Sequence, residues 1–220
     1  MKYIILSITI AMSLTACSTK TSAVETSPAD PTRDSILMRV SYLLFEYENI
    51  RKDDAMADSI LEIIDKNLEI DPEVLSLRKA SLLSLRGDNN AGREAILAIN
   101  DSLILPIYKY VCIRHFDAII AAKQGNEKLK NEIVTHIVDT LLNEITQSQL
   151  DEIVSTAIAN PDSIIPVTYP VVMYYYYMGQ LYGHDSVRNM IKDRYNYHGD
   201  ELFWPVMAAE GNDLMTFRGF

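Results

Sequence analysis

Glu69 to Pro106 reads EIDPEVLSLRKASLLSLRGDNNAGREAILAINDSLILP, and its punctuation decides the fold. Asp71 can accept hydrogen bonds from the free amides at a helix start, and Pro72 suits the first helical position, where no amide partner is needed. Gly87 can take the left-handed conformation just past a helix end. Between them Val74, Leu75, Leu77, Ala80, Leu82 and Leu83 recur at helical spacing. A turn over Gly87 to Asn90 then feeds a second helix through Ala91, Ala95, Ile96 and Ile99. The stretch is a helical hairpin.

The same periodicity extends outward in both directions. Upstream, Ile36, Leu37, Val40, Leu43, Leu44 and Tyr47 form one amphipathic helix, and Met56, Ile60, Ile63, Ile64 and Leu68 form another. Downstream, Pro106 to Lys123 reads as a helix stopped by Gly125. Asn126 begins the next, through Leu129, Ile133, Ile137, Leu141 and Leu142. Ser148 can cap a shorter helix through Leu150, Ile153 and Ile158, which Asn160-Pro161 ends. Thr168 can cap a helix that contains Tyr174 to Tyr177 and breaks at Gly183, and Asp185 opens a last helix through Val187, Ile191 and Tyr195. The expected fold class is all-α, with helix-turn-helix pairs stacked as a short α-solenoid and an aromatic-rich C-terminal cap formed by Gly199 to Phe220.

Pro106 stands 34 residues after Pro72, the period of tetratricopeptide repeats. Residues 55–106 resemble that family. Ala80 matches the small residue of its first helix, Gly87-Asp88 its inter-helix turn, Ala95 the small residue of its second helix, and Pro72 and Pro106 its terminal proline. Two departures stand out: Ser76 occupies the place of a bulky aromatic, and three extra residues enter the turn before Ala95. The alternative is a generic helical hairpin. The resemblance implies stacked helix pairs and a protein- or peptide-binding role.

At the other end of the sequence, Lys2 supplies a positive charge, Ile4 to Leu14 an uncharged apolar run, and Thr15-Ala16 the small residues before a processing point. The apolar stretch is shorter than the roughly 20 residues needed to span a bilayer. Leu14-Thr15-Ala16-Cys17 resembles the lipobox of bacterial lipoproteins, which implies a signal peptide over 1–16 and a diacylglyceryl group on the Cys17 thiol. An ordinary signal peptide containing a cysteine is the alternative. Acyl chains contribute about 0.8 kcal/mol per buried CH₂, so a multiply acylated Cys17 would stay on a membrane. Residues 17–33 are then the lipidated cysteine and a flexible tether, since Ser18 to Arg33 is rich in Ser, Thr, Ala and Pro without apolar periodicity. Its 16 residues would reach roughly 20 to 25 Å. Residues 34–220 are the helical repeat-like domain. Ser18 directly after the cysteine favours, by the same resemblance, the periplasmic face of the outer membrane, with the cell surface as the other location.

The chain has 20 Lys and Arg against 30 Asp and Glu, a formal charge of -10. Such an acidic domain is repelled by phosphates, so nucleic-acid binding and electrostatic adhesion to anionic lipid are disfavoured. With Cys17 committed to lipid, Cys112 is the one thiol left, no intramolecular disulfide can form, and stability must come from an apolar core.

Residues 174–177 form a run of four tyrosines. Consecutive helical residues point about 100° apart, so the four cannot share one face. Tyr174, Tyr175, Tyr176 and Tyr177, with Tyr182, make a candidate binding surface for peptide or glycan. The competing reading is a core helix with its hydroxyls at a wet edge. Cys112 and His115 lie one turn apart, but a zinc site needs three or four ligands and a buried Cys beside a polar His is the better account. His136, His184 and His198 are isolated, and Asp185 is explained as a helix cap. No nucleophile elbow, zincin motif, phosphate loop or EF-hand pattern occurs, so no catalytic residue, metal or cofactor is expected.

These features together point to a membrane-anchored envelope lipoprotein acting as a protein- or peptide-interaction scaffold. The alternatives are an envelope enzyme acting on glycan or peptide through an aromatic-lined cleft, or an inhibitor or immunity-type binding protein with an acidic face.

Overall fold

The computed structural model describes residues 31–159, 169–198 and 214–218. Among them all regular structure is α-helical: α1 Pro31–Asn49, α2 Asp54–Asn67, α3 Pro72–Leu85, α4 Asn89–Leu97, α5 Pro106–Lys123, α6 Glu127–Glu144, α7 Gln147–Ala159, α8 Tyr169–Tyr182 and α9 His184–Tyr195. The chain forms two compact units. Unit 1 falls within residues 1–120 and 216–220, and unit 2 within 121–215.

Unit 1 is built around α3, which packs against α1, α2 and α4. Its start follows the expected chemistry. Asp71 Oδ1 accepts from the Val74 amide at 3.1 Å, with Pro72 in the first turn. Its end is a left-handed glycine cap: Gly87 has φ 89°. The Asp88 amide reaches back to the Leu83 carbonyl and the Gly87 amide to that of Ser84, each at 2.9 Å, which satisfies two carbonyls the helix leaves open. The turn is shorter than the Gly87 to Asn90 expected, because Asp88 itself caps α4 through the Ala91 amide.

Small side chains set the distance between α3 and its neighbours. Leu75, Ser76, Leu77, Ala80, Ser81, Leu82 and Ser84 of α3 are all buried, positions that run right round the helix. The close approach falls at Gly92, where a Cβ would lie 2.6 Å from the Phe116 ring and 3.2 Å from the Ala80 carbonyl oxygen. The position of close approach on α4 is therefore Gly92, three residues before Ala95. Ala95 is only half-buried.

α1 begins at Pro31, so Thr32 and Arg33 belong to its first turn and not to a tether. The Arg33 guanidinium explains the earlier start, since Nε donates to Asp71 Oδ2 at 3.1 Å while Oδ1 of the same carboxylate caps α3. Val40, Leu44 and Tyr47 of α1 pack with Met56, Ala57, Ile60 and Ile64 of α2 and Leu75 and Leu82 of α3.

In unit 2, α8 packs between α6 and α9. Asn126 caps α6 as expected, accepting from the Leu129 amide at 3.1 Å, whereas Leu129 itself is 40% exposed and lies outside the core. α7 starts earlier than Ser148: Thr146 and Gln149 form a reciprocal capping box, the Gln149 amide donating to Thr146 Oγ1 at 3.2 Å and the Thr146 amide to Gln149 Oε1 at 3.0 Å. α9 is preceded by Gly183, with φ 81° and no side-chain cap. Asp185 sits in the first turn instead, where its charge favours the helix dipole. Thr168 and residues 199–213 of the expected cap lie outside the described residues.

Candidate functional site

The last turn of α3 and the first of α4 place two polar side chains in the interior of unit 1. Ser84 and Asn89 are each 4% exposed. The Ser84 hydroxyl donates to Asn89 Oδ1 at 3.1 Å, and Asn89 Nδ2 donates to the Gly87 carbonyl at 3.2 Å. Because a hydroxyl carries one donor and two lone pairs, this leaves Ser84 Oγ free to accept.

What it accepts comes from far along the chain. The Phe217 amide donates to Ser84 Oγ at 2.9 Å, across 133 residues of sequence. The Phe217 ring is fully buried. It lies against Phe116 with centroids 4.7 Å apart and rings tilted 35°, and edge-on to His115 at 5.6 Å. Beside it, Arg218 Nη1 is 2.5 Å from Glu48 Oε1 on α1. Glu48 stands in the last turn of α1, which carries no basic residue, and a carboxylate at that end of a helix dipole is stabilised by an added cation. Helices α1, α3, α4 and α5 thus offer ring contacts, a side-chain acceptor for a main-chain amide and a carboxylate, and Phe217 and Arg218 meet them.

The sequence marks Phe217 only as one apolar residue of the tail.

Cys112 and His115 are both fully buried on α5, with Phe217 packed on His115. Among the described residues no group of three or more His, Cys, Asp or Glu side chains could hold a metal ion.

The tyrosine run does not form an exposed surface. Tyr174, Tyr175, Tyr176 and Tyr177 are 7%, 1%, 5% and 0% exposed, and of the candidate binding residues only Tyr182, at 60%, faces solvent. Four consecutive positions can all be buried only in a helix enclosed on every side. Neighbouring rings pair edge to face, Tyr174 on Tyr175 at 5.2 Å and Tyr176 on Tyr177 at 5.0 Å.

No protein family, curated protein or solved structure matches this chain.

A polar chain leads from the run to the surface of unit 2. Tyr175 donates to Tyr195, and the Tyr195 hydroxyl donates to Asp151 Oδ1 at 2.6 Å. Arg194 grips both Asp151 oxygens, Nε at 3.0 Å and Nη2 at 2.8 Å. Burial first, and then the neighbouring Tyr195, push the Tyr175 phenol well above its ordinary range. Burial and the bond to Asp151 push Tyr195 up to about 12. The Asp151 carboxyl is held below its usual range chiefly by Arg194. Phenols tuned this way stay protonated at neutral pH and act here as hydrogen-bond donors. Among the described residues no helix is long and apolar enough to cross a membrane.

Proposed function

We propose that this protein is an envelope lipoprotein, anchored through Cys17 on the periplasmic face of the outer membrane, whose helical body is a protein- or peptide-interaction scaffold. The observation that carries the scaffold reading is that the helices of unit 1 hold a distant piece of chain, Phe217 and Arg218, through the Phe116 ring, the Ser84 hydroxyl and the Glu48 carboxylate. A helical surface that takes a main-chain amide together with two adjacent side chains offers the kinds of contact by which peptides are recognised. The tetratricopeptide-like reading is supported by the capped hairpin of α3 and α4 and by the small residues Ala80 and Gly92 at its close approach. Helix pairs stacked as a short solenoid extend that reading to the rest of the body. The anchoring reading rests on Leu14-Thr15-Ala16-Cys17 and the apolar run before it.

Crosslinking the full lipoprotein in intact cells, followed by recovery from membranes, tests the scaffold. A discrete partner protein is expected, and recovery of none across several growth conditions would refute it. Metabolic labelling with a fatty-acid analogue tests the anchor separately. Label should enter the wild-type chain and be absent from Cys17→Ser.

A further inference from the structure

Five Asp residues of this chain are followed by Ser, and every one of those pairs is followed by a branched aliphatic residue: Asp34-Ser35-Ile36, Asp58-Ser59-Ile60, Asp101-Ser102-Leu103, Asp162-Ser163-Ile164 and Asp185-Ser186-Val187. A sixth copy, Asp139-Thr140-Leu141, carries Thr in place of Ser. With 16 Ser among 220 residues, composition alone would put Ser after about one of the 17 Asp, before the third residue is considered. The tripeptide is over-used, and the fold gives it no shared task. Ser35 and Ser186 lie near the starts of α1 and α9. Ser59 stands in the middle of α2, its hydroxyl donating to the Ala55 carbonyl at 2.9 Å. Ser102 sits in the turn before α5, its amide donating to Asn100 Oδ1 at 2.9 Å. What these four serines share is exposure: all are open to solvent. Of the described serines that do not follow Asp, Ser76, Ser81 and Ser84 are buried, Ser41 is half-buried, and Ser148 and Ser155 are exposed. Ser163 lies outside the described residues, and Thr140 is half-buried with its hydroxyl on the His136 carbonyl.

We propose that the Asp-Ser-aliphatic tripeptide is an acceptor signal for O-glycosylation, and that Ser35, Ser59, Ser102 and Ser186 each carry a glycan. A short signal repeated in unlike local structures is read by something outside the fold, and a hydroxyl that stays at the surface can bear a bulky group without disturbing the core. The order of events follows from the third residue. Ile60 is fully buried and Val187 is 1% exposed, so an enzyme that reads the aliphatic side chain at these sites meets the chain before it folds, as it emerges from export. The donor is a glycan carried on a lipid diphosphate. The Ser hydroxyl oxygen attacks the anomeric carbon; its new C–O bond forms as the bond from that carbon to the diphosphate breaks, the diphosphate leaves with the electron pair, and the hydroxyl proton passes to a base of the transferase. Phosphorylation at the same hydroxyls would instead set a second anion beside each Asp, on a chain whose formal charge is already -10. The inference rests on the export reading of residues 1–17 and adds a modification to it.

The test uses the full chain purified from membranes of its native host, read by intact mass and by electron-transfer tandem mass spectrometry, which leaves sugars on their residues. The peptides holding Ser35, Ser59, Ser102 and Ser186 should each be heavier by the same glycan mass. Ser102→Ala should lower the intact mass by one glycan beyond the lost oxygen. Asp101→Ala, at an exposed turn position that leaves the core untouched, should cut occupancy at Ser102 at least ten-fold while the other three sites stay filled. Four peptides at their unmodified masses, or carrying phosphate in place of sugar, overturn the proposal. So does a glycan on Ser148 or Ser155 at the occupancy of Ser102, because those serines are exposed but follow no Asp, and so does full occupancy at Ser102 in Asp101→Ala. A chain that takes fatty-acid label at Cys17 yet has bare serines overturns this inference alone, leaving the anchor in place. Bare serines on a chain that still begins at Met1 overturn the export reading with it.

Discussion

In unit 1, α3 buries Ser76, Ala80, Ser81 and Ser84 and meets Gly92 of α4, whereas in unit 2 the equally buried α8 carries Tyr174 to Tyr177. Short side chains let neighbouring helices approach closely. Tyrosines hold helices apart and bring hydroxyls inside, each of which needs a partner. Unit 1 is therefore sensitive to added atoms and unit 2 to removed ones. Tyr177→Ala, which removes a ring that is fully buried, should cost about 3 to 5 kcal/mol, read as a fall in the denaturation midpoint. Tyr182→Ala, at a position 60% exposed, should stay within about 0.5 kcal/mol. Similar losses at both positions would show that burial does not set the role of the run.

The converse test adds one carbon to unit 1. Alanine is a better helix former than glycine by about 1 kcal/mol, but the Cβ at position 92 would meet the Phe116 ring at 2.6 Å. That ring is fully buried and also packs against Phe217, with centroids 4.7 Å apart, so it has little room to retreat. Overpacking costs about 1 to 3 kcal/mol, so Gly92→Ala should lower stability on balance. In a Phe116→Leu background, where the ring is gone, the same substitution should become neutral or stabilising. A Gly92→Ala penalty that persists unchanged in that background would place the clash elsewhere.

How much of this contrast could be read from residues alone differs between the units. The caps of α3 and α6 were legible because Asp71-Pro72, Gly87 and Asn126 each act within their own turn. Local chemistry misled where two residues could serve: Thr146 with Gln149 displaces Ser148 because a reciprocal pair satisfies two amides, and Asp185 yields to Gly183 because the chain must turn sharply there. Gly92 was hidden because its meaning depends on Phe116, a residue of another helix. The depth of the tyrosine run and the seat of Phe217 were hidden for the same reason, since both depend on contacts far apart in sequence.

Unit 2 should also report its buried phenols at high pH. Tyr195 has its folded pKa raised to about 12, above the value near 10 of an unfolded tyrosine. A group raised in this sense stabilises the fold fully below about pH 10 and loses that contribution as pH climbs toward 12. Tyr195→Phe removes the donor to Asp151 and the acceptor for Tyr175. It should cost about 1 to 3 kcal/mol at neutral pH and flatten the alkaline fall in the urea midpoint. A fall between pH 10 and 12 as steep as that of the wild type would remove Tyr195 from the account.

The smallest effect belongs to the outer end of the same chain. Asp151 has its folded pKa lowered, chiefly by Arg194, so its contribution is present above the ordinary carboxylate range and is lost as pH falls through the lowered value. Its side chain is 38% exposed, so water and salt screen the pair, and the contribution should not exceed about 1 kcal/mol. Asp151→Asn should therefore bring the urea midpoints at pH 6 and pH 3 slightly closer together, and 0.5 M NaCl should shrink the difference between variant and wild type because salt screens half-exposed pairs. A large, salt-insensitive loss would mean that Asp151 acts mainly as the acceptor for Tyr195, whose buried end salt does not reach, and unit 2 would then hang on its tyrosines even at its surface.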